Sequence, residues 1–168
     1  MIFETLSDKH FDLLFEFELE NRQWFESLIS TRGDHFYTYS GVKKHILDSA
    51  LLAESGTHYS AVLIVNNTIV ARGNLKKIAT ENNSCSVGYR VAEQYAGKGY
   101  ASYCLGELIR IAKNSYFISK VEAKVLDNNP ASIAVLKKQG FNILYHEPNF
   151  TELNGNQMGC TTFECLPA

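Results

Sequence analysis

Between Val87 and Ser102 the chain reads VGYRVAEQYAGKGYAS, a strand-forming run, a loop with Gly97 and Gly99, and at once an amphipathic helix. Residues of these types in this order suit an anion site, or a plain structural turn that uses two glycines. Successive backbone N–H groups of the loop and the unpaired N–H groups of the first helical turn point at one anion, and the helix dipole adds to their field. Glycine lets the backbone come close because no Cβ intervenes. Two common nucleotide sites do not fit. A P-loop needs Gly-Lys followed by Ser or Thr to reach magnesium, whereas Lys98 stands before Gly99. A dinucleotide fingerprint needs a third glycine where this chain has Ser102.

The elements around this loop can be read from periodicity. IFETL opens as a short strand, and Ser7 is placed to cap a helix carrying Phe11, Leu14, Phe15 and Leu19 at helical spacing. A second helical stretch covers Arg22 to Ile29, RGDHFYTYSG is rich in turn formers and aromatics, and a third helix runs from after Ser40 towards Glu54. HYSAVLIV, the turn at Asn66 and Asn67, and TIVARGNLKKIA make a hairpin, and SCSVGYRV adds a third consecutive strand. The helix from Lys98 to Lys113 puts Ala101, Cys104, Leu105, Leu108 and Ala112 on one face, towards a sheet. KVEAKVL is a strand, Pro130 suits the first turn of a helix over Ala131 to Gln139, and Gly140 ends it before the strand FNILYH. The pair Asn154-Gly155 then sets up a last strand around Met158 to Leu166. This order predicts an α+β fold with a mixed sheet, in a single domain spanning residues 1–168.

Composition bounds the partners. At 168 residues, 45% hydrophobic and 20% charged, the chain can bury one substantial core. A net charge of −2 argues against direct nucleic-acid binding, which needs an excess of Lys and Arg. Cys85, Cys104, Cys160 and Cys165 lack zinc-ligand spacing and read as reduced, buried thiols, so no metal is expected. MIFETLSDKHF has no signal-peptide pattern, and no run reaches the roughly 20 apolar residues of a membrane span. These features point to a cytoplasmic protein, with no membrane partner.

VGYRVAEQYAGKGYAS resembles the acyl-CoA signature of the GNAT acetyltransferases, a (Q/R)xxGx(G/A) loop after a strand. NPASIAVLKKQGF, Asn129 to Phe141, resembles the later NxxSxxVxxKxGF pattern of the same superfamily. With the start LENRQWFESLISTR, the chain looks most like the branch that acetylates ribosomal-protein N-termini. The resemblance implies a GNAT fold: a twisted, mostly antiparallel mixed sheet of about seven strands flanked by helices. It also implies a splay between the fourth and fifth strands, here Ser84 to Val91 and Lys120 to Leu126. Acetyl-CoA is then the co-substrate. Ala96, Gly97, Lys98, Gly99, Tyr100 and Ala101 form the phosphate loop, and the backbone of Tyr89, Arg90 and Val91 pairs with the pantetheine arm like an added strand. Asn129 matches a pantetheine-contacting asparagine, though it equally suits a turn before Pro130.

Acetyl transfer to an amine needs a neutral nitrogen, a donor for the oxyanion and a proton for the leaving thiolate. The resemblance assigns the oxyanion to the Val91 N–H. Many relatives use a tyrosine as proton donor where this chain has Leu136, so Ser132 takes that role, or serves only the helix start. Ala96 and Ser86 replace a commoner loop residue and a strand carboxylate. The resemblance makes Glu152 the candidate base, within a residue of where the branch often keeps a carboxylate, with Glu147 and His146 as nearby substitutes, or leaves Glu152 an exposed turn carboxylate. Phe11, Phe15, Trp24, Phe36, Tyr37 and Tyr39 are candidates for an acceptor groove or for core: the spacing of Phe11 and Phe15 favours core, and the loop residues Phe36, Tyr37 and Tyr39 favour the groove. Glu16, Glu18 and Glu20 read as a solvated helix face, or as an attraction for a basic peptide or polyamine. The expected acceptor is a protein N-terminal α-amine, attacked directly without an acyl-enzyme, in a monomer or homodimer. A small amine, such as a polyamine, amino acid or antibiotic, and a silent CoA-binding module are the alternatives.

Overall fold

Asn66 and Asn67 adopt positive φ values of 49° and 59°, the turn geometry whose twist matches paired strands. They join β2 (Tyr59–Val65) to β3 (Thr68–Ala79), and β4 (Ser84–Val91) follows antiparallel to β3. The computed structural model describes residues 1–79 and 81–167. With β1 (Ile2–Thr5), β5 (Lys120–Leu126), β6 (Asn142–Leu153) and β7 (Asn156–Cys165), these strands form one seven-stranded sheet in the order β1-β2-β3-β4-β5-β7-β6. Only β4 and β5 are parallel, and they are in register only at Ser84–Lys120, Cys85–Val121 and Ser86–Glu122. Past these three positions the strands part.

Helices cover both faces. On one side lies α4 (Tyr100–Tyr116), whose Leu105, Leu108 and Ala112 are buried with Leu75, Val121 and Phe163. Gly73 on β3 is what allows this contact, because a Cβ there would collide with Leu108. On the other side lie α1 (Phe11–Glu20), α2 (Arg22–Leu28) and α3 (Tyr39–Glu54), which bury Leu14, Phe17, Phe25, Val42 and Ile46 against Val62 and Ile69. α5 (Pro130–Lys138) links β5 to β6. The fold is the α+β architecture expected from the sequence. Differences are local: a 3-10 turn over Asp8–His10 separates Ser7 from α1, and β6 extends well beyond FNILYH. All four cysteines are free and buried, and burial pushes the Cys85 and Cys104 thiols up to about 12, far from reactive thiolates. Among the described residues no helix is long and apolar enough to cross a membrane.

Glu18 is not on a solvated face. It lies four residues after Leu14, on the same buried stripe of α1, and is fully buried. Arg72 Nη1 donates to Glu18 Oε1 at 2.5 Å and Arg90 Nη1 to Oε2 at 3.0 Å. Burial opposes ionisation of this carboxyl, but attraction to Arg72, Arg90 and Arg32 outweighs it and holds the pKa below the ordinary value. A depressed folded-state pKa stabilises the fold above the unfolded pKa of about 4.3, and this stabilisation is lost as pH falls through the folded value. Glu18→Gln should therefore cost about 3–5 kcal/mol by leaving buried guanidiniums unpaired. Denaturant unfolding at pH 7 measures this, and the gap between wild type and variant should narrow on acidification below pH 4.

Candidate active site

The parting of β4 from β5 frees specific main-chain groups. Ala92 N–H donates to Val70 C=O at 3.0 Å, and hydrogen-bonded residues alternate along an antiparallel strand. Arg90 and Gly88 therefore spend their main-chain groups on β3, while those of Tyr89 and Val91 turn to the side that β5 has left. Trp24 Nε1–H donates to Val91 C=O at 3.2 Å on that open side. A cavity of about 720 Å³ runs through the gap, lined from β4 by Val87 to Val91 and from β5 by Ala123 to Leu126.

At one end of the cavity lies the glycine loop. Ala96, Gly97, Gly99 and Ala101 line it, whereas Lys98 turns over the Tyr95 ring at 5.1 Å. Gly97 and Gly99 have φ values of 74° and 85°, in the left-handed region, and a Cβ on either would meet nothing within 4 Å. Gly99 immediately precedes α4. The loop thus presents main chain and a helix N-terminus to open space, which suits a pyrophosphate.

Beside the gap, Asn129 Oδ1 accepts from Ser132 N–H at 3.0 Å and caps α5. This cap, with Pro130 at the helix start, aims Ser132 across the cavity, where its Oγ shares a 2.9 Å hydrogen bond with the Tyr89 hydroxyl. Burial raises the Tyr89 pKa, which the Ser132 hydrogen bond opposes, so the phenol keeps its proton at neutral pH. Leu136, one turn further along α5, is fully buried in the core. The sequence reading named Tyr89 for its backbone alone and missed its hydroxyl, because no local spacing links residues 43 positions apart.

Other expected residues lie elsewhere. Glu152 is exposed on β6, where its neighbour Thr151 lines the cavity and Glu152 does not. Glu147 pairs with Lys124 Nζ at 3.4 Å and His146 Nε2 lies 3.1 Å from Asp127, and neither Glu147 nor His146 lines the cavity. Phe36 and Tyr37 are buried platforms for Arg32 and Arg22, 4.3 and 4.4 Å from the ring centres, and Tyr39 leans on Phe11 and Phe15. The aromatics that reach the cavity on this side are Trp24 and Phe25.

At its other end the cavity is cationic. Arg72 and Arg90 are cross-strand partners on the face opposite α4, since the adjacent Gly73 faces α4. Arg32, Arg72, Lys76, Arg90 and Lys124 line the cavity here, Lys138 lines it from the end of α5, whose neighbour Gln139 bonds to Ser102 of α4, and among the described lining residues there is no Asp or Glu. The last turn of α2 is tied down just before the stretch Leu28, Ile29, Ser30 and Arg32 that lines the cavity: Asn128 Nδ2 donates to Ser27 C=O at 2.8 Å and Asn154 Nδ2 to Glu26 C=O at 3.3 Å.

A sheet split at its one parallel pair, with a glycine loop and helix N-terminus at the split, defines an acyl-CoA-dependent transferase. Residues 1–142 match the acetyltransferase (GNAT) domain family, and the chain belongs to it as an N-acetyltransferase. The probable N-acetyltransferase YjcK of Bacillus subtilis is 26% identical over 125 residues, 73% of this chain and 69% of that protein. The fold is shared with the ribosomal L7/L12 α-N-protein acetyltransferase RimL in complex with coenzyme A (TM-score 0.90, 20% identity, 98% of this chain and 92% of that one). It is shared also with the ribosomal-protein-S5-alanine acetyltransferase of Vibrio fischeri (TM-score 0.92, 18% identity, 98% and 92%). The microcin C7 self-immunity acetyltransferase MccE, in complex with acetyl-CoA and AMP, is similar (TM-score 0.87, 18% identity, 98% and 91%).

Acetyl-CoA at 100 times its dissociation constant should stabilise the protein by about 2.7 kcal/mol, or roughly 5–11 °C in Tm, with ATP and NADH giving no shift. Gly99→Val, which resists positive φ and fills the space over the loop, should weaken acetyl-CoA binding at least about tenfold in isothermal titration.

Proposed function

We propose that the chain acetylates a protein N-terminal α-amine by direct attack on acetyl-CoA held in the β4–β5 gap. The observation that carries the acceptor class is the cavity lined by cations, without a carboxylate among its described residues. An α-amine has a pKa near 7.7–8.0, so about one in ten is neutral at pH 7, against fewer than about one in a thousand for a lysine amine near 10.4. Nearby positive charge lowers an amine's pKa further. Such a cavity favours a nucleophile that can lose its proton to water, and repels a polyamine. The fold shared with the ribosomal-protein acetyltransferases supports the same reading, although the spermidine N-acetyltransferase SpeG of Vibrio cholerae shares the fold too, with a TM-score of 0.79.

In this mechanism the loop from Ala96 to Ala101 holds the pyrophosphate, and the main chain of Tyr89 and Val91, with Asn129 beside it, orients the pantetheine arm, while the Arg90 main chain stays paired with β3. The acceptor nitrogen forms its bond to the thioester carbonyl carbon and the carbonyl π pair moves to oxygen, giving an oxyanion that the Val91 N–H faces. Its collapse re-forms the carbonyl and breaks the carbon–sulfur bond, releasing the thiolate. Water takes the amine proton, and Ser132 Oγ–H protonates the departing thiolate and is re-protonated through the Tyr89 hydroxyl.

Ser132→Ala should lower kcat by about a hundredfold and Tyr89→Phe by less, with little change in acetyl-CoA affinity. Free thiol released from acetyl-CoA is the readout, with peptides bearing a free or blocked N-terminus, a lysine-only peptide and spermidine as acceptors. Turnover of the free N-terminus alone is expected. Preference for spermidine would move the reading to small amines, and acetyl-CoA binding without any turnover would make the chain a silent binding module. Glu152→Gln locates the proton acceptor: retained activity assigns it to water, and a loss of a hundredfold or more assigns it to Glu152.

A further inference from the structure

The guanidiniums on the acceptor side outnumber what the protein itself neutralises. Arg72 is almost fully buried and spent, with Nη1 on Glu18 and Nη2 at 2.7 Å from His45 Nε2. His45 brings no charge, because burial and then Arg72 push its pKa down to about 2. Arg90 shares the same carboxylate through Nη1 alone, its plane resting over the Phe25 ring at 4.8 Å and its side chain 15% exposed. Arg32 is half-buried over Phe36 and, among the described residues, has no hydrogen bond or ion pair. Three guanidiniums therefore face one carboxylate, and most donors of Arg32 and Arg90 remain unspent beside the cavity.

Such a surplus is costly unless an anion completes it. Burial, and then repulsion from Arg90 and Arg72, pull Arg32 down to about 9, a strain that a bound carboxylate would relieve. The cofactor's phosphates do not fill this role, because their loop lies at the start of α4 while Arg72 and Arg90 project from the opposite sheet face. The planar, forked guanidinium matches a carboxylate with two parallel hydrogen bonds.

We propose that the acceptor is an acidic chain end, whose side-chain carboxylate within the first few residues is bound by Arg32 and Arg90 while its α-amine enters the β4–β5 gap. This rests on the N-terminal acceptor reading and names its substrate class. The carboxylate offsets the repulsion that the cavity exerts on an incoming ammonium. It also sets register, because the guanidinium fork holds the chain a fixed reach behind the amine. A basic or neutral chain end lacks both effects.

The test is direct binding to CoA-saturated protein, which needs no turnover. Short peptides labelled at the C-terminus, with aspartate, glutamine or lysine at the second and third positions, are titrated by fluorescence anisotropy. The aspartate peptide should bind at least tenfold more tightly than the glutamine peptide, with the lysine peptide weakest and the preference shrinking as salt is raised. Arg32→Gln should abolish the preference, whereas Lys43→Gln, which removes the same charge from the exposed side of α3, should leave it intact. Equal binding of the three peptides, or a preference that survives in Arg32→Gln, would overturn the proposal. Free aspartate competing as well as the peptide would overturn the chain-end assignment. Thiol release with the same peptides then keeps the two readings apart: turnover without acidic preference defeats only this inference, and acidic preference without turnover defeats only the catalytic one.

Discussion

Two parallel strands that stop pairing after three residues set the terms for everything else in this protein. A strand inside a sheet has no main-chain groups to offer, because both edges are spent on neighbours. Where β5 leaves β4, Tyr89 and Val91 recover theirs without either strand reaching the outer edge of the sheet. The same parting opens a through-going cavity, with the α4 N-terminus at one face and the α1–α2 face at the other. Cofactor and acceptor can therefore meet from opposite sides, at a point where the backbone is rigid on one edge and free on the other.

The electrostatics follow from that geometry. An anionic cofactor needs only the helix terminus and loop amides, so charged side chains are released for the acceptor side. There a cross-strand pair of arginines, opposite each other in register, would repel across the sheet without Glu18 beneath them. Glu18 thus has a structural task, and satisfies Arg72 more completely than Arg90. The residual positive field lowers the basicity of any amine in the cavity, which does part of a general base's work through the environment. The hydroxyl pair at the gap is likewise built from two elements: α5 carries Ser132, β4 carries Tyr89, and the Asn129 cap fixes the start of the helix from which Ser132 reaches.

The family and the geometry of the glycine loop were legible in the chain alone, because both depend on local features. Gly97 and Gly99 were recognisable since positive φ beside a helix start favours glycine, and Asn129-Pro130 marked a helix start by its own stereochemistry. The hairpin at Asn66-Asn67 and the strand–helix order of the second half were equally local. Periodicity therefore determined the elements, and two motifs in order determined the GNAT fold.

Only the tertiary structure decided what faces the cationic end of the cavity. Glu18 looked like one carboxylate of an exposed row, yet it lies on the buried stripe of α1, where two arginines from neighbouring strands compensate it. Tyr89 and Ser132 came together from distant segments, Glu152 turned away from the cavity that Thr151 lines, and Phe36 became a platform for Arg32. None of these pairings has a sequence period. They arise from which strands are neighbours and which face each residue takes, so the chemistry of the acceptor site appears only once the sheet is assembled.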